Sequence, residues 1–247
     1  MMEILVVVAI VLVLAGLAFP VYSSVRSRAD KTVALEKMRE MTALLITYCG
    51  QNDGDFPMEN IGTGETWLNA AGPQGLPVWY NALLRMAGHK GVGDYLHAPR
   101  EFYSKENPLF LPGAKYPASD KKLVRPLFAF AINTKVQRKD LTGIKGKAKL
   151  SQIALPARTV AFLEEGLPGE KKASPVQPKY EGACKSAGRS FAARYGGQGV
   201  VTFLDGHAET LGVKDLLTEA GQLIFPQTTI VWTRTPEENP NMGLGKP

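Results

Sequence analysis

From Ile4 to Phe19 the chain carries no charged or polar side chain, and beyond Pro20 apolar and polar positions begin to alternate. A helix over the first run rises about 24 Å at roughly 1.5 Å per residue, slightly short of a bilayer core of about 30 Å, and Met1 and Met2 lengthen it. The next run has two faces: Ala34, Met38, Met41, Leu45 and Tyr48 recur at intervals of three and four, while Lys31, Lys37, Arg39 and Glu40 fall elsewhere. Segments 1–24 and 25–50 are therefore expected to form one long helix. Its first half must meet lipid or protein all round, and its second packs on something globular. The stretch "GQNDGDFP" stops it, with Gly50 at its end and Asn, Asp, Gly and Pro following as turn formers.

Residues 51–232 read as a strand-rich body broken by Gly and Pro. A short helix is expected around "VWYNALLRMAG", where Trp79, Leu83 and Met86 share a face, and strands at "PLFAFAIN", "RTVAFLEE", "GVVTFLDG" and "HAETLGV". In "VVTFLDGHAETL" the pair Asp205 and Gly206 between alternating runs predicts a tight two-residue hairpin turn. The tail, 233–247, has the composition of an extended or disordered arm. The expected fold class is α+β: a long N-terminal α-helix, transmembrane in its first half and amphipathic in its second, packed on an antiparallel β-sheet with loop-rich insertions.

Charge changes this picture little. A net charge of +6 is spread thinly, with small basic clusters at Lys121–Arg125 and Arg138–Lys149, the second in an expected loop from Gln137 to Lys149. Neither cluster is interleaved with many aromatic residues, so a nucleic-acid partner is not expected. The cysteines Cys49 and Cys184 leave a disulfide and two buried thiols equally open on composition alone. Signs of catalysis are thin. His207 beside Asp205, with Glu164 or Glu165 from another strand, has the donor types of a metal site, and Asp53 and Asp55 are calcium-compatible carboxylates, but turn formation and helix termination account for both more simply. No nucleophile elbow, phosphate loop or zinc spacing occurs, and no cofactor and no reaction are expected.

The segment "MEILVVVAIVLVLAGLAFPVYSSVRSRA" resembles the N-terminal segment of type IV pilins and type II secretion pseudopilins: an apolar helix led by a Glu, then Pro at the family's interval and Tyr two residues later. Arg26 and Arg28 follow the run where a signal peptide would have basic residues before it. The segments "YCGQNDGDFPMEN", "FAFAIN", "LPARTVAFLEE" and "RYGGQGVVTFLDGHAE" resemble the landmarks of bacterial pilin-like proteins with a long C-terminal domain. The sequence departs from the first pattern in having neither the basic leader nor the Phe that precede the Glu. It departs from the second in having Tyr195 where that group has His.

The resemblance implies a pilin-like structural subunit, held by a single pass in the bacterial inner membrane before assembly. After processing by a prepilin peptidase, pilus assembly machinery would add it to an extracellular homopolymer. Glu3, Gly16 and Pro20 become the implied assembly residues. The Glu would pair with a neighbouring subunit's terminal amine, since a lone carboxylate in an apolar bundle is costly and a paired one tolerable. Gly16 and Pro20 would let the helix stretch or kink. Export further implies a Cys49–Cys184 disulfide, worth about 5 kcal/mol in the chain-entropy model. A secretion pseudopilin and a membrane-tethered binding or enzyme domain remain the alternative roles.

Overall fold

The structure, a computed structural model, describes residues 2–62, 64–119, 123–137 and 148–242; in the first turns of the N-terminal helix, side chains are described at Val7, Val8, Tyr22 and from Ser24 onward. Helix α1 runs unbroken over Met2–Gln51, passing through Gly16 and Pro20. Its buried stripe is Ala34, Met38, Met41, Thr42, Leu45 and Cys49, the spacing of one helix face. Tyr48, expected on that stripe, is only partly buried beside it. The helix end is shifted as well: Asn52 Nδ2 donates to Tyr48 O at 2.8 Å, and the left-handed residues that reverse the chain are Asp53 (φ 54°) and Gly54 rather than Gly50.

One five-stranded sheet forms the body, in the order β3-β1-β2-β4-β5. Its strands are β1 (Phe130–Asn133), β2 (Val160–Glu164), β3 (Lys185–Ser186), β4 (Gln198–Phe203) and β5 (Ala208–Gly212). The expected antiparallel sheet is corrected to a mixed one, because β3 pairs parallel to β1 through Ile132 and Lys185. A β-bulge in β2 between Val160 and Phe162 turns both Ala161 and Phe162 towards the helix side, and Leu163 returns to the other face. Gly199 in β4 permits a close approach, since a Cβ there would lie 2.1 Å from Ala192 O.

Two cores result. On one face α1 lies across β4, β5 and β2, beside helix α3 (Trp79–Met86). Trp79 anchors α3 with ring centroids 5.1, 5.8 and 5.9 Å from Phe162, Phe130 and Phe128. Helix α3 also buries Tyr80, Asn81 and Leu84. The Asn81 amide is a staple, donating to Ala70 O and Gly75 O at 2.9 Å and accepting from Gly93 N, and so fixing helix α2 (Trp67–Ala71) beside it. On the opposite face Val160, Leu163, Phe191, Val201 and Phe203 pack with Trp232 and with Leu216 of a short helix α4 (Val213–Leu216).

Polar contacts pin α1 to the body. Thr42 Oγ1 lies 2.7 Å from Thr202 Oγ1 of β4, inside the core. Lys37 Nζ donates to Lys105 O and Asn107 O at 2.9 and 2.8 Å, and burial lowers its pKa against the opposing pull of Glu40 and Glu106.

Two expectations for the chain ends are overturned. Among the described residues no helix is long and apolar enough to cross a membrane. The described part of α1 is amphipathic, carrying Arg26, Arg28, Asp30, Lys31, Glu36, Lys37, Arg39 and Glu40, so the transmembrane half and the single-pass inner-membrane placement are both corrected. The tail is docked through residue 242. The Gln227 amide donates to Thr233 Oγ1, Pro236 O and Glu238 O, and Asn241 exchanges hydrogen bonds with the backbone of Leu223 at 3.0 and 2.9 Å. Residues 243–247 lie outside the described residues, as do positions 138–147 of the loop expected from Gln137 to Lys149.

Candidate functional site

The first candidate is the part of α1 beyond the body. Among the described side chains its buried stripe begins at Ala34, and N-terminal to it Val7, Val8, Tyr22 and Val25 are 59%, 49%, 67% and 59% exposed. An apolar helix surface in water is unfavourable by roughly 25 cal/mol per Å², so a face of this kind is built to be covered. Glu3, Gly16 and Pro20 are on the same helix, and their side chains lie outside the described residues.

The second candidate is a cleft in the body with a buried ionic floor. Arg194 has all five N–H donors placed. Nε and Nη2 take Glu170 Oε1 and Oε2 at 3.0 and 2.7 Å, Nη1 takes Glu164 Oε2 and Ala129 O at 2.7 and 3.0 Å, and Nη2 also takes Glu165 O at 2.5 Å. Glu170 is equally complete, because its oxygens also accept from Lys115 N at 3.0 Å and Leu167 N at 2.8 Å. A guanidinium and a carboxylate so satisfied are tolerated in the interior, where an unpaired charge is not. Burial works against ionisation of Glu170, but Arg194 and the two backbone donors outweigh it and hold its pKa below the usual range. Burial opposes the charge of Arg194 too, and the charges of Glu164 and Glu170 overcome it.

Glu164 and Glu165 behave differently. Burial pushes Glu164 up to about 7, although Arg194 and Val200 N donate to it. Burial pushes Glu165 to about 8, with Ser190 Oγ donating to it at 2.7 Å. Both carboxylates are thus inside the body and engaged there. Above this floor opens a cleft of about 800 Å³ whose rim carries Lys115, Lys171, Lys172 and Lys214.

The third candidate is the β4–β5 hairpin. It closes with three loop residues, Leu204–Gly206, rather than the expected two: Gly206 N donates to Phe203 O, Phe203 N donates to His207 O, and Gly206 alone takes a left-handed φ of 99°. Asp205 is in the turn as expected, with Oδ1 2.6 Å from His207 Nδ1, while the His207 ring stacks on Phe203 at 4.3 Å. His207 Nε2 faces Glu209 at 3.4 Å. Glu164 and Glu165 are tied elsewhere, and among the described residues no group of three or more metal-ligating side chains is assembled.

Other sequence candidates resolve as structure. Cys49 and Cys184 are free, buried thiols rather than a disulfide. Cys49 ends the α1 stripe, burial raising its pKa to about 12, and Cys184 Sγ donates to Glu59 O at 3.5 Å. Asp55 pairs with Lys149 at 3.4 Å and Asp53 O accepts from the same amine, so "NDGDFP" is a chain reversal held to residue 149. Tyr195, which stands where the resembled group has His, is buried and donates to Pro112 O at 2.9 Å. Arg194 and Glu170 carried no signal in the sequence; a charged residue between "FAA" and "YGG" reads as surface. Compared with protein-family models, with curated proteins and with solved structures, the chain matches none.

Proposed function

We propose that this chain is a pilin-like structural subunit, which packs the first half of α1 against the same helix of identical neighbours to build a filament. The observation that carries the reading is the division of α1: one continuous helix of 50 residues whose buried stripe, among the described side chains, begins at Ala34, with Val7, Val8, Tyr22 and Val25 exposed before that point. At about 1.5 Å per residue, the first 30 residues reach roughly 45 Å beyond the buried stripe. Like helices in a bundle remove that surface from water, and the body is then displayed outside the bundle. Glu3 is the charge that such a bundle must neutralise, and a neighbour's terminal amine does so.

The experiment is electron microscopy and sedimentation of the full chain. Filaments are expected from the parent, and a double variant, Val7→Lys with Val8→Lys, should lower their yield at least tenfold while the circular dichroism of the body is unchanged. A parent that stays monomeric at high concentration, or a double variant that assembles normally, overturns the reading.

A further inference from the structure

The cleft above the Arg194 floor adjoins a second cavity of about 580 Å³ at Lys115, which lines both. The second is bordered by Tyr116 and Arg125. Together they make one trough with cationic groups along its length. Arg194 and Glu170 cancel each other beneath it, which leaves Lys115, Lys171, Lys172 and Lys214 against Asp215 in the first cavity. Lys172 is occupied, donating to Pro175 O and Gln177 O. Among the described residues the amines of Lys115, Lys171 and Lys214 have neither hydrogen bond nor ion pair. Elsewhere on the body Lys90, Lys149 and Lys185 each face a carboxylate.

The frame under these amines is ordered. Glu170 ties the backbone at Lys115 and Leu167 and the Arg194 side chain together, so the segments that carry Lys115 and Lys171 are held against the floor of the cleft. Several unpaired ammonium groups around one cleft favour a ligand with repeated negative charge. The first cavity has no aromatic side chain in its lining, so it offers no platform on which nucleic-acid bases would stack. It has instead Gln198 and Asp215, which suit hydroxyl groups.

We propose that this trough binds an acidic polysaccharide, a chain that presents carboxylates to the lysines and hydroxyls to Gln198 and Asp215. The inference concerns the body and stands apart from assembly through α1. The test is calorimetric titration of the full chain with galacturonate oligomers, beside neutral dextran oligomers and a DNA duplex of matched charge. Saturable binding of the uronate is expected, with none of dextran and weaker binding of DNA. Combining Lys115→Gln, Lys171→Gln and Lys214→Gln should weaken it at least tenfold, whereas Lys90→Gln leaves it unchanged. Each single substitution should cost several-fold, which keeps the test available if the triple variant does not fold. Absence of saturable uronate binding, equal binding by the single or triple variants and the parent, or tighter binding of DNA overturns the proposal, whether or not filaments form.

Discussion

Arg194→Lys separates the charge of the buried floor from its shape. The guanidinium places five donors on five acceptors: both oxygens of Glu170, one of Glu164, and the carbonyls of Ala129 and Glu165. A lysine keeps the positive charge but has only three donors on a single nitrogen, so at least two of the five bonds are lost; Glu170 and Ala129 O keep other donors, and the acceptors that the change can orphan are Glu164 Oε2 and Glu165 O. At about 1–3 kcal/mol for each orphaned buried group, the loss should be about 2–6 kcal/mol, a large part of the stability of an ordinary domain. Arg194→Met should cost more, because it strands the Glu170 carboxylate as well. The assay is urea unfolding at pH 7 followed by tryptophan fluorescence, comparing midpoints at constant slope. A shift of less than about 1 kcal/mol for Arg194→Lys would mean that charge alone sustains the floor, and the argument from donor geometry would fail.

Two further outcomes follow from buried ionisable groups. Folded Glu165 keeps its proton up to about pH 8, whereas an unfolded carboxyl releases it near pH 4.5. The folded state therefore binds more protons across that window, and stability falls as pH rises through it. Glu165→Gln has no proton to lose, so relative to the parent it should gain roughly 4 kcal/mol of stability between pH 5 and pH 8.5; identical pH profiles would refute this. Cys49 and Cys184 are free and buried, so without reductant an aromatic disulfide reagent should find no fast thiol in the folded chain and both on unfolding in urea; recovery of a linked peptide pair would refute it.

What the sequence made legible is what rests on local periodicity. The stripe from Ala34 to Leu45 and strands β1, β2, β4 and β5 each announce their buried face within a few residues. Strand β3, of Lys185 and Ser186, is too short to carry a pattern, and its parallel pairing depends on β1 far away in the chain. The same remoteness hid the ionic floor, since Glu164 and Arg194 are 30 positions apart. The tail misled through composition: "TPEENPN" reads as solvated, yet the amides of Gln227 and Asn241, with Ala154 N on Arg234 O, dock it. The cysteines misled because their even number, joined to an inferred compartment, says nothing about where two thiols lie. The apolar run 4–19 suggested a membrane span, whereas among the described residues no helix is long and apolar enough to cross a membrane.

The hydroxyl contact between Thr42 and Thr202 has a mechanical consequence. Methyl groups sliding over one another give little resistance to twist, but turning α1 by one residue swings its side chains about 100° and separates these two hydroxyls inside the core. Thr42 keeps Met38 O and Thr202 keeps Phe162 N as partners, so what the turn loses is the shared bond, about 0.5–1.5 kcal/mol. The pair therefore acts as a key in a shaft: torque applied to the far end of α1 is delivered to β4 instead of being lost as free rotation. Any load carried along that helix would turn the whole body through a fixed angle, so that every copy in a screw-symmetric array shows the same side of its sheet to the outside.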